Sequence, residues 1–260
     1  MYKRQVLVVL MRGGSNDPAV QQGLARRILN TLTGLGPCFI KLGQALSTRP
    51  DLVRRDWLEE LTRLQDDLPA FPHATALACI REELGAPAEE LFEEFPDTPI
   101  AAASLGQVYK ARLQGQHWVA VKVQRPNLTF ILRRDLVLIR ALGVMTAPLL
   151  PLNLGFGLGG IIDEFGRSLF EEIDYGLEAA NAERFSALFA ENDAVYIPKV
   201  ERMLSSTRVL TTTWIDGAKM RDSEELRSQR LDPTALIRTG VICGLQQLLE
   251  FGYFLSLIHI

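Results

Sequence analysis

Cysteine and histidine are scarce in this chain of 260 residues, and where they fall excludes more chemistry than it offers. Cys38, Cys79 and Cys243 lie far apart with no CxxC spacing, so neither a zinc site nor a disulfide framework is expected and a reducing compartment is the default. His73, His117 and His259 are equally scattered, and no metal ligand is assigned anywhere in the chain. Runs of basic residues are missing too. With 28 Lys and Arg against 31 Asp and Glu, the formal charge of -3 leaves no electrostatic footprint for a nucleic-acid backbone, and nucleic acid is not expected as a partner. A secretory leader is also wanting: Val6 to Met11 follows Lys3 and Arg4, but this apolar stretch is short for a signal core and lacks a clear cleavage site. The expected location is cytoplasmic, not secreted.

What the chain has in quantity is apolar residues, 47% of the total, enough for a large core or two packed lobes. One uncharged stretch, Ala141 to Ile162, is long enough in principle to span a bilayer. Pro148 and Pro151 break helical hydrogen bonding there, and Gly155, Gly157, Gly159 and Gly160 loosen the backbone, which favours a buried or membrane-touching connector.

The first hundred residues read as helical. Asp17 and Pro18 form a cap-plus-N1 start, followed by Val20, Leu24, Ile28 and Leu32 at helical spacing. Pro37 opens a second helix that Pro50 closes, which puts Lys41 and Gln44 on one face. Asp56 to Leu64 and Ala74 to Leu84 repeat the amphipathic pattern, the latter ending at Gly85. The period then changes. Leu105 to Leu113 and Trp118 to Val123 are rich in β-formers around a short Gln114–Gln116 connection, a hairpin signature. Helix returns at Asn127, with apolar Leu128, Ile131, Leu132 and Leu136 as its buried stripe, and a longer helix is expected from about Asp163 to Phe189. Val195 to Ile197 and Arg208 to Trp214 read as strands, and Pro233 to Phe251 as a helix carrying Leu236, Ile237, Val241, Leu245 and Leu248.

The order small-residue loop, strand, turn, lysine-bearing strand and glutamate-bearing helix is that of a kinase N-lobe. Small residues let backbone N–H groups approach nucleotide phosphates, a strand lysine pairs with them, and a helix glutamate fixes that lysine. The loop is Ala101, Ala102, Ala103, Ser104, Leu105, Gly106 and Gln107, and the lysine is Lys122 in VAVK. A solvated strand lysine is the alternative for Lys122 taken alone, and its place after the hairpin favours the nucleotide reading.

Four stretches carry a resemblance: Gly36 to Leu52, Pro99 to Leu113, Val119 to Pro126 and Glu171 to Asn181 resemble the UbiB, or aarF-domain, atypical kinases. The hallmarks are a KxGQ helix, matched at Lys41 to Gln44, an alanine-rich loop, matched at Ala101 to Ser104, and an ExD motif, matched by Glu172 and Asp174. The resemblance implies an α+β, protein-kinase-like fold. In it residues 1–98 form a helical N-terminal extension, 99–216 the N-lobe with its antiparallel sheet, and 217–260 the start of a helical C-lobe. It also implies ATP and Mg2+ as ligands and a supporting role in isoprenoid-quinone or related membrane-lipid metabolism, with lipid or small-molecule pathway components as partners and peripheral contact with a membrane. The family continues into a catalytic loop and a DFG-like magnesium site. Neither is found in these 260 residues, so the chain is expected to be a fragment whose magnesium ligands lie beyond it and which does not itself hydrolyse ATP.

Within that frame, residues two apart on a helix diverge by about 200°, so Glu172 and Asp174 should serve different partners. The expectation is that Glu172 holds Lys122, while Asp174 and Glu178 face Lys41 and Gln44; a merely solvated acidic helix face is the alternative. Ala102 in place of a glycine should stiffen the phosphate loop, and an extension lying over the cleft should obstruct peptide substrates. Three readings stay open: an ATP-dependent kinase or ATPase, a nucleotide-sensing pseudokinase that organises a membrane-associated biosynthetic complex, and a plain helical interaction domain.

Overall fold

The computed structural model describes residues 18–48, 57–58, 61, 69–115, 117–146, 158–217, 223–229 and 231–253. Its elements fall into two compact units that are interleaved along the chain. The first comprises Met1–Cys79, Asp97–Tyr109 and Val123–Asp174, and the second Ile80–Pro96, Lys110–Lys122 and Tyr175–Ile260.

Prolines and glycines punctuate the helices of the N-terminal region. Helix α1 (Pro18–Leu35) ends at Gly36, whose φ of 108° a side chain would oppose. Helix α2 (Pro37–Ser47) starts at once on Pro37, which lacks only an N–H that the first helical turn leaves unbonded. Helix α3 (His73–Leu84) terminates at Gly85, φ 78°, a left-handed C-terminal stop, and the single turn α4 (Ala88–Leu91) follows. The helix expected over 56–64 lies mostly outside the described residues; of it, Trp57, Leu58 and Leu61 are helical.

Strands β1 (Ala101–Ala102), β2 (Gly106–Arg112), β3 (Trp118–Gln124) and β4 (Val209–Thr213) make one sheet in that order. The β1–β2 pair is antiparallel, with Ala101 opposite Val108 and Ala102 opposite Gln107. Alternation along β3 buries Val119, Val121 and Val123 completely and turns Ala120 and Lys122 to the other face. The position of Lys122 is thus a direct consequence of the period-2 pattern in WVAVKV.

In the first unit, α5 (Leu128–Thr146) and α6 (Leu158–Glu172) pack against each other and α5 packs against α2, around Cys38, Leu105, Leu128, Leu132, Ile139, Ile162, Leu169 and Ile173. Gly166 permits the α5–α6 approach, since a Cβ there would meet Leu136 at 3.3 Å. The second unit holds α7 (Tyr175–Leu188), the short 3-10 turn Arg202–Leu204, β4, α8 (Ser223–Ser228) and α9 (Pro233–Leu249). Its cores are Tyr175, Ala179, Val200 and Leu210, and a second cluster of Phe185, Phe189 and Cys243. Asp232 caps α9 by accepting from the Thr234 N–H, with Pro233 at the first position.

Two expectations are corrected. The single helix over 163–189 is two helices, α6 and α7, broken at Ile173 and Asp174. Val195 and Ile197 form no strand; they pack as side chains against the Phe185–Phe189 cluster, and the nearby pairing is an isolated bridge between Val200 and Thr212. On α9 the buried residues are Cys243 and Gln247, whereas Ile237, Val241, Leu245 and Leu248 face outward, because helical periodicity marks an apolar face without saying what covers it.

The most built polar tie in the second unit joins α3 to the start of β4. Arg208 Nε donates to Glu83 Oε1 at 2.7 Å, its Nη2 meets Glu82 Oε1 at 2.8 Å, and Thr207 Oγ1 donates to Glu83 Oε2 at 3.4 Å. Burial alone would raise the Glu83 carboxyl, but hydrogen bonds from Ser206 and Arg208 and the guanidinium charge outweigh it and hold the group below its ordinary range. A depressed folded-state value contributes stability above the unfolded value and loses it as pH falls through the folded one. Glu83→Gln should therefore cost about 1–3 kcal/mol near neutrality. In thermal melts across an acid series, the gap to the unsubstituted chain should close as pH drops.

Candidate functional site

In the first unit the KxGQ helix buries a charge. The short side chains around it on α2, Cys38 and Gly43 among them, let the helix pack closely, and Lys41 is left only 8% exposed. An ammonium so placed needs a partner, and Nζ donates to Glu172 Oε1 at 2.5 Å. Gln44, one turn on, is half-buried, and its carbonyl accepts from Ser47 Oγ. The buried thiol of Cys38 is pushed up to about 12, by desolvation first and by the Asp135 carboxylate second, so it is inert.

Glu172 is the last residue of α6, and three hydrogen bonds explain why the helix stops there. The Ile173 carbonyl is taken by Gln124 Nε2 at 2.6 Å, from a glutamine only 4% exposed at the end of β3. The Asp174 N–H closes a tight turn onto Glu171 O at 3.2 Å, and the Tyr175 N–H donates to Thr207 O at 3.1 Å. The α-helical ladder cannot continue through residues whose backbone groups are bonded elsewhere. Asp174 lies at this joint, half-buried.

The alanine-rich segment, also in the first unit, is a hairpin turn. Ala101 and Ala102 are strand residues, and the Ala103 N–H donates to Gly106 O at 2.8 Å. Arg125 braces the turn: its Nε donates to Ala103 O and its backbone N–H to Leu105 O, each at 2.9 Å. Leu105 anchors it in the core, and Ser104 is fully buried. The side chain of Gln107, the last residue of the expected loop, is completely buried, with Oε1 accepting from the Phe71 N–H at 3.1 Å and Nε2 donating to Tyr109 Oη at 2.5 Å. Only its backbone belongs to the loop edge.

In the second unit, Lys122 Nζ donates to both oxygens of Glu178, at 3.1 and 2.8 Å, and stands 4.6 Å from the centre of the buried Tyr175 ring. Carboxylate and ring hold the ammonium from two directions while its side chain stays 34% exposed. Tyr175 and Glu178 are three apart on α7, one turn, which is why both reach the same lysine.

The expected pairing is thereby reversed. Lys122 is bound by Glu178, not Glu172; Glu172 binds Lys41, a role expected of Asp174 and Glu178. The expectation assumed a continuous helix through 172–178. The break at 173–174 re-aims everything after it, and a glutamine–carbonyl hydrogen bond between residues 49 apart has no sequence signature. Glu178 in the YGLE turn was visible as an acid one turn into a helix, but its partner was not.

A double-mutant cycle tests the buried pair. Lys41→Met should cost about 3–5 kcal/mol by stranding the Glu172 carboxylate, and Lys41→Met with Glu172→Met should recover most of it. Asp174→Asn combined with Lys41→Met should add without coupling. Chemical denaturation reads all of these. In the folded chain Cys38 should resist iodoacetamide at mildly alkaline pH and react once the chain is unfolded.

Comparison with known proteins agrees with this architecture. Residues 63–260 match the model of the ABC1 atypical kinase-like domain. The uncharacterized protein slr1919 of Synechocystis is 51% identical over 230 residues, covering 88% of this chain and 41% of its own length. The chloroplastic protein ACTIVITY OF BC1 COMPLEX KINASE 1 of Arabidopsis thaliana is 46% identical over 239 residues, 92% of this chain and 35% of its own length. Among solved structures, Rv3197 of Mycobacterium tuberculosis, determined in complex with erythromycin, superposes with a TM-score of 0.50 at 31% identity, covering 84% of this chain and 52% of that one. The chain therefore spans about two-fifths of the curated relatives named here. With a kinase-like fold, a KxGQ lysine, a braced alanine-rich turn and a strand lysine held by a helix glutamate, it belongs to the ABC1 (aarF-domain) atypical kinase family.

Proposed function

We propose that this chain binds nucleotide as part of an ATP-dependent atypical kinase or ATPase supporting isoprenoid-quinone or related membrane-lipid metabolism. The observation that carries the reading is the Lys122–Glu178 pair. A carboxylate accepting two hydrogen bonds and an aromatic ring fix the direction of an ammonium that keeps a third of its surface open, which suits a group meant to meet phosphate oxygens. Under this proposal Lys122 grips the phosphates within the second unit, ATP supplies the phosphoryl group, and the turn Ala101 to Gly106 with the backbone of Gln107 is, by itself, a phosphate-following turn of the first unit. Lys41, Gln44, Glu172 and Asp174 shape the access of the acceptor.

Among the described residues no group of three or more His, Cys, Asp or Glu side chains could hold a metal ion, so no step is routed through magnesium. The turn fits its proposed task because Arg125 and Leu105 hold it rigid, so that ordering it on a ligand costs little. A lipid-pathway role takes its support from the family, and peripheral membrane contact is part of the proposal; among the described residues no helix is long and apolar enough to cross a membrane.

Titration with a fluorescent ATP analogue tests the proposal. Lys122→Ala and Glu178→Gln should each weaken binding about tenfold or more, the second by releasing the ammonium from its fixed direction. Glu172→Gln should change it less. A chain that binds no nucleotide, or binds it equally well without Lys122, overturns the reading. Robust phosphorylation of a generic peptide by the whole protein would contradict the obstructive role given to Lys41 and Gln44.

A further inference from the structure

Helix α5 is apolar on two sides. Its inner side, Leu128, Leu132 and Ile139, is buried in the first unit's core. Its outer side carries Phe130, Val137 and Val144, which are 68%, 68% and 59% exposed, with Leu138 and Met145 beside them at 45% and 72%. Seven-residue spacing shifts a position by only about 20° around an α-helix, so Phe130, Val137 and Val144 form one continuous stripe, and Leu138 and Met145 widen it along one edge. A surface helix ordinarily shows polar residues there.

Three arginines border the stripe, and the acid beside them on the neighbouring helix, Asp163, is already paired with Arg140. Arg133 and Arg140 fall on one side and Arg134 on the other. The one acid on the helix, Asp135, is 2% exposed and points inward. The arginines are held at the edges by local contacts: Arg133 lies against the Phe170 ring, Arg134 bonds to Asp135, and Arg140 meets Asp163 at 3.0 Å. Each guanidinium still has N–H groups beyond those contacts. Three arginines also interrupt the helix too often for it to span a bilayer, yet suit one lying in the headgroup plane with its stems along the apolar boundary. Pairing of this face with a second copy would set arginine against arginine with no carboxylate on the stripe to answer it.

We propose that the outer face of α5, centred on Phe130, Val137 and Val144 and flanked by Arg133, Arg134 and Arg140, is a docking surface for an anionic lipid bilayer. It names the surface behind the membrane contact included above and rests on that part of the reading alone, independent of nucleotide binding.

Flotation of the whole chain with phosphatidylcholine vesicles, with and without phosphatidylglycerol, decides the matter. The chain should float with the anionic vesicles, much less with the neutral ones, and less again as salt is raised. Val137→Glu and Phe130→Glu should each lower the bound fraction about tenfold or more, and Arg133→Gln with Arg140→Gln should lower it only on anionic vesicles. The melting temperature and binding of the ATP analogue should be unchanged in all of these. Failure of the unsubstituted chain to float, equal flotation of Val137→Glu, or a sharp fall in its melting temperature, which would mean that the chain itself covers the stripe, each overturns the proposal. So does concentration-dependent dimerisation without flotation. Loss of ATP-analogue binding with flotation intact would instead sink only the nucleotide reading.

Discussion

A lysine that is 8% exposed cannot remain charged in a folded core without a carboxylate against it, and in this protein that carboxylate is Glu172. Much of the first unit follows from meeting this demand. Helix α6 has to deliver Glu172 at its last turn, α5 has to pack both α2 and α6 so that the two residues meet, and the chain has to leave helical geometry directly afterwards. A buried ion pair adds little net stability compared with an apolar substitute. It does fix one arrangement, since any shift of α2 along α6 strands two charges.

The joint at Ile173 and Asp174 is the counterpart of that constraint. Gln124 takes a carbonyl that the helix would otherwise use, and Thr207 accepts the first N–H of the next helix. With the helix broken, Glu178 is free of the phase set by α6 and meets Lys122 together with the Tyr175 ring. Two glutamates six positions apart thus serve two lysines 81 positions apart, each pair closed by hydrogen bonds within its own unit. The boundary between the units falls at this same joint and again between Lys122 and Val123.

Rigidity is distributed unevenly around these pairs. The alanine-rich turn is held by an arginine, a core leucine and a completely buried glutamine. The outer face of α5, by contrast, carries apolar side chains that are largely exposed. Spending core-type residues on an outward face is costly to solubility, and such faces persist in proteins that dock.

Much of this was legible from residues alone. Pro37, Gly36 and Gly85 set helix limits because their backbone preferences are local, and the β-formers of WVAVKV marked the strand that carries Lys122 for the same reason. The KxGQ, alanine-loop and ExD residues were likewise visible as motifs. What the tertiary structure alone decided was which acid meets which lysine, because that depends on a helix break created by hydrogen bonds to Gln124 and Thr207, residues distant in sequence. It also decided that the Gln107 side chain turns inward, and that a second apolar face of α5 and the apolar residues Ile237, Val241, Leu245 and Leu248 of α9 are exposed. Periodicity reports that a face is apolar, whereas its cover is a property of the packed chain.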